Sequence, residues 1–137
     1  MTLVLDASVT IAWFADEPAR SQLDEVMLRI QREGAFVPSL WRTETGNSLL
    51  QLVRRGRIPA GKLPTIIEEV RRLPVMMDVP LDDEVWGAAL ALAERHRLTL
   101  YDATYLELAV RRRLPLASLD QELRRAATAE GVATLPA

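Results

Sequence analysis

The chain has 137 residues, 49% hydrophobic and 26% charged, which fits one soluble folded domain over 1–137 and excludes a disordered or fibrous chain. A net charge of −2 excludes a uniformly basic nucleic-acid binder, and the absence of cysteine excludes disulfides and thiolate chemistry. No apolar run approaches the roughly 18 residues of a membrane helix, and no basic stretch precedes the first apolar run, so a cytoplasmic protein without signal peptide or membrane contact is expected.

Leu3, Val4 and Leu5 make a short apolar run ending at Asp6 and predict a buried strand. Residues 8–14 predict a short helix, which Pro18 punctuates. The spacing of Leu23, Val26, Met27 and Ile30 predicts a helix over 20–33, with Gly34 as its stop. Ala35, Phe36 and Val37 predict a second strand. Pro38 and Ser39 then lead into a helix reaching about Arg55, where Gly56 ends it.

A further helix is expected over 60–72, between Pro59 and Pro74, and Val75, Met76 and Met77 predict a third strand. Helices over 82–97 and 102–112 follow. Residues 114–118 lead into a strand, 121–129 into a helix, and 132–134 into a last short strand. Short apolar strands alternating with helices predict an α/β fold, its parallel sheet covered on both faces. Sites in such sheets gather beyond the carboxyl ends of the strands, where strand order switches. Asp6 and Asp120 each follow a strand directly, so neighbouring strands would turn both carboxylates toward one pocket.

Each acid has a plain structural explanation. Asp6, Asp102 and Asp120 all stand where aspartate caps a helix, and Ser118 with Gln121 has the pattern of a capping box. Glu44 is harder to explain that way. Leu40, Glu44, Asn47 and Leu50 follow helical spacing, and Leu40 and Leu50 are expected to face the core, so Glu44 and Asn47 should point inward with them. A buried carboxylate needs a partner or becomes protonated. Either an arginine or a metal shared with other carboxylates would serve. Oxygen ligands without cysteine point to magnesium or manganese rather than zinc.

Other chemistries lack their residues. His96 is the only histidine, stands between Arg95 and Arg97, and reads as a surface residue. No Gly-x-Ser-x-Gly elbow or phosphate-binding glycine loop is present. Trp13, Trp41 and Trp86 read as core or interface aromatics. Arginine supplies every basic residue but Lys62. The groups at Arg54, Arg55 and Arg57, at Arg71 and Arg72, at 111–113, and at Arg124 and Arg125 suit helix ends, while guanidinium forks also fit phosphates.

Four segments, in this order, carry a resemblance: Val4-Leu5-Asp6-Ala7-Ser8; Pro38-Ser39-Leu40-Trp41 leading to Glu44 and Asn47; the run from Leu100 through Asp102 to Ala109; and Leu114-Pro115-Leu116-Ala117-Ser118-Leu119-Asp120. Together they resemble the PIN-domain family over nearly the whole chain, and more narrowly its VapC-type ribonuclease toxins. The resemblance implies a three-layer α/β/α sandwich with a central, mostly parallel sheet. It also implies a magnesium- or manganese-dependent endoribonuclease that leaves 5′-phosphate and 3′-hydroxyl ends. By motif position Asp6, Glu44, Asp102 and Asp120 are the implied catalytic and metal-binding acids, supported by Ser8, Asn47 and Ser118. A cognate VapB-type antitoxin that blocks the groove and a toxin homodimer are implied as well, and apolar residues over 49–53 and 63–70 suit such contacts.

Two other functions compete with this one. A phosphoaspartate hydrolase also places an aspartate after its first strand, but needs a second aspartate where Ser8 stands. A non-catalytic PIN-like module that binds RNA or protein would not need the four acids.

Overall fold

The computed structural model describes residues 2–137; Met1, the first residue of the expected domain, lies outside the described residues. Its strands are short, and the central ones are buried on both faces, as parallel strands covered by helices must be. Leu3, Val4, Leu5, Leu116 and Ala117 are wholly inaccessible. Among the described residues the strands are β1 (Val4–Leu5), β2 (Ala35–Pro38), β3 (Val75–Asp78), β4 (Leu116–Ala117) and β5 (Thr134–Leu135). They form one sheet in the order β3-β2-β1-β4-β5. All four pairings are parallel, and Val4 lies between Phe36 and Leu116.

That order places β1 beside β4, so the condition for bringing Asp6 and Asp120 together is met: the strand ends that carry them are neighbours. The chain builds outward from β1 in one direction, then returns to build in the other. Right-handed crossovers therefore put α1 (Ala7–Phe14), α2 (Asp24–Glu33), α3 (Leu40–Arg54) and α4 (Leu63–Arg71) on one face. The same rule puts α5 (Leu90–His96), α6 (Leu100–Arg112) and α7 (Gln121–Ala129) on the other. Packing agrees: α1 meets α3 and α4, while α6 lies on β1, β2 and β4 and meets α5 and α7. This is the expected three-layer sandwich.

Several expected helices are divided. The segment over 20–33 is a 3-10 turn, Pro18–Gln22, then α2, joined at the fully buried Leu23. The segment over 60–72 begins as another such turn, Ala60–Lys62. Pro64 lacks an N–H and suits only a first helical turn, so α4 starts beside it. The first half of 82–97 is a π-helical stretch, Asp83–Ala89. It turns Ala89 inward and leaves Trp86 69% exposed, so Trp86 is not a core aromatic. α2 ends at Gly34, whose φ of 76° is the left-handed conformation that favours glycine.

The inward stripe of α3 also differs. Its buried residues are Trp41, Thr45, Leu49 and Leu52, whereas Leu40, Glu44 and Leu50 are half-buried and Asn47 is exposed. Leu49, Leu52, Ile66 and Val70 belong to the core, so the larger exposed apolar side chains lie elsewhere, at Val79, Leu81 and Trp86. No helix among the described residues is long and apolar enough to cross a membrane.

Candidate active site

Asp6 occupies the switch point between β1 and β4, and only 3% of its surface is exposed. It stands at the N-cap of α1, yet no capping hydrogen bond from that helix closes on its side chain. Two serine hydroxyls do. Ser8 Oγ donates to Asp6 Oδ2, and Ser118 Oγ donates to the same oxygen at 2.9 Å. Each serine is itself held by an N–H of the loop after β4. Leu119 N donates to Ser8 Oγ at 2.9 Å, and Asp120 N donates to Ser118 Oγ at 3.1 Å. The capping box that Ser118 and Gln121 could have made does not form: Asp120 is the N-cap of α7, and Ser118 serves Asp6 instead. Both hydroxyls converge on Oδ2, which leaves Oδ1 outside the serine network.

Asp102 is likewise released from capping. Thr99 caps α6, accepting from Asp102 N at 3.1 Å, so the Asp102 carboxylate stands half-exposed in the first turn without serving as the cap. Asp120 does cap: its Oδ1 accepts from Leu123 N at 3.0 Å, as the plain structural explanation expects. Glu44 reaches across the end of the sheet, and its Oε1 accepts from Tyr105 of α6 at 3.0 Å. Asn47 takes no part in this network; it sits on the exposed side of α3.

Electrostatics join what the elements bring together. Burial pushes the Asp6 carboxyl up from its ordinary 3.8 to about 6, against the pull of the Ser8 and Ser118 hydroxyls, and the charge of Glu44 adds to the rise. Asp102 is also pushed up to about 6, by burial first and then by the charges of Asp120 and Asp6. Burial likewise raises Glu44, opposed by the Tyr105 hydrogen bond and reinforced by Asp102 and Asp120. Asp6, Glu44 and Asp102 thus each sense the charge of neighbouring carboxylates. Among the described residues none of them is ion-paired to arginine, lysine or histidine.

The arginine alternative for Glu44 is therefore not realised. Arg111 and Arg112 bind Asp78, and Arg124 donates to the carbonyls of Ser118 and Pro136, bracing the loop after β4. His96 is not the surface residue expected; its ring is largely buried against Glu130, away from the four acids.

Charge and donor type fit a hard divalent cation, since every candidate ligand is an oxygen. The acids are gathered at electrostatic range rather than as a finished cage. Among the described residues no three His, Cys, Asp or Glu side chains form a ready metal site.

The raised carboxyls fix the sign of a pH effect. Asp6 and Asp102 hold protons more tightly when folded, so stability declines as pH rises from the ordinary 3.8 through about 6, then levels. Melting temperature in chelator should fall by about 5 °C or more between about pH 4.5 and 7. Asp6→Asn should flatten the decline. A melting temperature that climbs across this interval contradicts the assignment.

The family model described as PIN domain matches residues 3–129. Ribonuclease VapC3 of Pyrobaculum aerophilum is 31% identical over 123 residues, which cover 90% of this chain and 92% of that protein. The crystal structure of PAE2754 from Pyrobaculum aerophilum matches with a TM-score of 0.70 at 25% identity, covering 98% of this chain and 90% of the other.

Proposed function

The chain belongs to the PIN-domain family, and from that premise we infer that it is an RNA-cleaving hydrolase, the toxin of a toxin–antitoxin pair. One observation carries the site assignment: a buried aspartate at the strand-order switch, Asp6, with Glu44, Asp102 and Asp120 around it and, among the described residues, no cationic side chain paired with them. Asp6, Glu44 and Asp102 would hold magnesium or manganese, with Asp120 as the outlying fourth acid. When bound, such an ion supplies a water of lowered pKa and positive charge against the phosphodiester.

The chain's own residues prepare the rest. Ser8 and Ser118 fix Asp6 through Oδ2, so Oδ1 can face the ion without losing its support. Thr99 takes over helix capping, which leaves Asp102 available as a ligand. Asp120 keeps one oxygen on the cap of α7, so its remaining oxygen would orient water or a second ion. Arg54, Arg55, Arg71 and Arg72 are exposed and suit RNA phosphates. A VapB-type antitoxin and a homodimer belong to the same reading, and the exposed Val79, Leu81 and Trp86 offer apolar contact surface.

The test is cleavage of RNA by purified protein in magnesium, manganese or chelator. Chelation should slow cleavage by about a hundredfold or more, and added metal should restore it. Cleavage that proceeds unchanged in chelator rules the reading out.

A further inference from the structure

Glu44 is held differently from the other acids. Asp6 and Asp120 take hydrogen bonds from groups in or beside the loop after β4, whereas Glu44 is held by one phenol from the opposite helical layer. Tyr105 is wholly inaccessible, and its ring is part of the core. Phenylalanine would pack equally well there; the hydroxyl adds a polar group that must find a partner when buried. That partner is Glu44. Resting on the ribonuclease reading above, we propose that Tyr105 is a positioning residue for Glu44, its hydroxyl fixing Oε1 at 3.0 Å so that Oε2 is presented to the cation.

Two further features make this a built arrangement. Trp41 lies three residues before Glu44 on α3, and its indole Nε1 donates to Thr10 Oγ1 of α1 at 3.1 Å in a buried hydrogen bond. The base of the Glu44 turn is thereby tied to one helix and its carboxylate to another. Tyr105 follows Asp102 by three residues, so both lie along one stripe of α6. One helix stripe thus supplies an acid to the pocket and the peg that sets a second acid beside it. A glutamate has more rotatable bonds than the aspartates, and fixing it beforehand lowers the ordering cost of binding.

The experiment compares wild type, Tyr105→Phe, Glu44→Gln and the double variant by calorimetric titration with manganese, without RNA. Tyr105→Phe should weaken manganese binding about tenfold, in the range of outer-shell partners of metal ligands. Cleavage at saturating manganese should return to within about threefold of wild type, because the hydroxyl acts through ligand placement. In the Glu44→Gln background the same change should have no further effect on binding. Unchanged manganese affinity in Tyr105→Phe overturns the inference, as does equal weakening in both backgrounds.

A measurement on the unaltered protein covers the case in which Tyr105→Phe does not fold. The chain has 2 tyrosines, one exposed and one buried, so their ring ¹³Cζ resonances are separable by NMR. The Tyr105 resonance should shift on saturation with magnesium, and no shift overturns the proposal. Wild type that binds manganese and cleaves RNA but shows none of these effects overturns this inference alone. Wild type that binds no manganese overturns it together with the reading beneath it.

Discussion

Asp6→Asn should reduce RNA cleavage by roughly 10²-fold or more while leaving the protein folded. The amide is nearly isosteric, and its carbonyl oxygen can still accept from Ser8 and Ser118, so the hydrogen-bonded frame survives. Only the negative charge goes. Because Asp6 is almost fully buried and its carboxyl is pushed up to about 6, ionisation at neutral pH works against folding. The neutral variant should therefore melt higher than wild type in chelator at about pH 7.5, and stability and activity should move in opposite directions. Ser118→Ala should do less, about tenfold in cleavage, since it removes support rather than a ligand. Single-turnover cleavage and thermal melts on the same preparations decide the matter. An Asp6→Asn protein that cleaves within about threefold of wild type means the central ligand is misassigned.

Sheet and layers were legible because each apolar run is short and bounded. β1 and β4 stand where Leu3 to Leu5 and Leu114 to Ser118 predict them, and the last helix, Gln121–Ala129, matches its predicted limits. Local pattern does not set strand order, so the meeting of Asp6 with Asp120 needed the topology. The register of α3 was harder. Its apolar residues cover a wide arc, and at about 100° per residue a stripe drawn through Leu40 and Leu50 lies roughly on the opposite side of the helix from one drawn through Trp41 and Leu49. Glu44 falls at the border of both, so its inward reach was legible, while Asn47 moved out to solvent.

Tyr105 illustrates the opposite failure. Within Tyr-Leu-Glu-Leu it reads as one more packing residue, and nothing local says where its hydroxyl ends. Only the crossing of α6 over the end of the sheet brings it to Glu44, 61 positions away in sequence. Capping likewise needed the structure. Aspartate at a helix start is ambiguous until Thr99 is seen to take that role for Asp102, and Asp120 is seen to keep it.

Arg111→Met should be the most destabilising of the substitutions considered, and its effect should fall on folding rather than chemistry. The sequence offers Arg111 as one of three consecutive arginines suited to a helix end or to phosphate. In the structure its guanidinium is already engaged. It grips both oxygens of Asp78 at 3.1 and 2.7 Å, meets Glu107 at 2.8 and 3.1 Å, and reaches Glu84 at 2.8 Å. Asp78 and Glu107 are 8% and 4% exposed, so water cannot replace what the arginine supplies.

Those hydrogen bonds hold the Asp78 carboxyl below the usual carboxylate range and the guanidinium above its ordinary value. Arg112 retains one contact to Asp78 at 3.1 Å and stacks on Phe36, which softens the loss for Asp78 but leaves Glu107 alone. Breaking a buried pair from one side costs about 3–5 kcal/mol, which corresponds to a fall of roughly 10–20 °C in melting temperature for a domain of this size. Adding Glu107→Leu should recover part of that fall, because it removes the stranded charge. Asp102 occupies the other end of α6, so cleavage well below the melting point should stay within about threefold of wild type. A melting temperature lowered by less than about 3 °C would mean that Arg111 is dispensable to the fold and available to RNA after all.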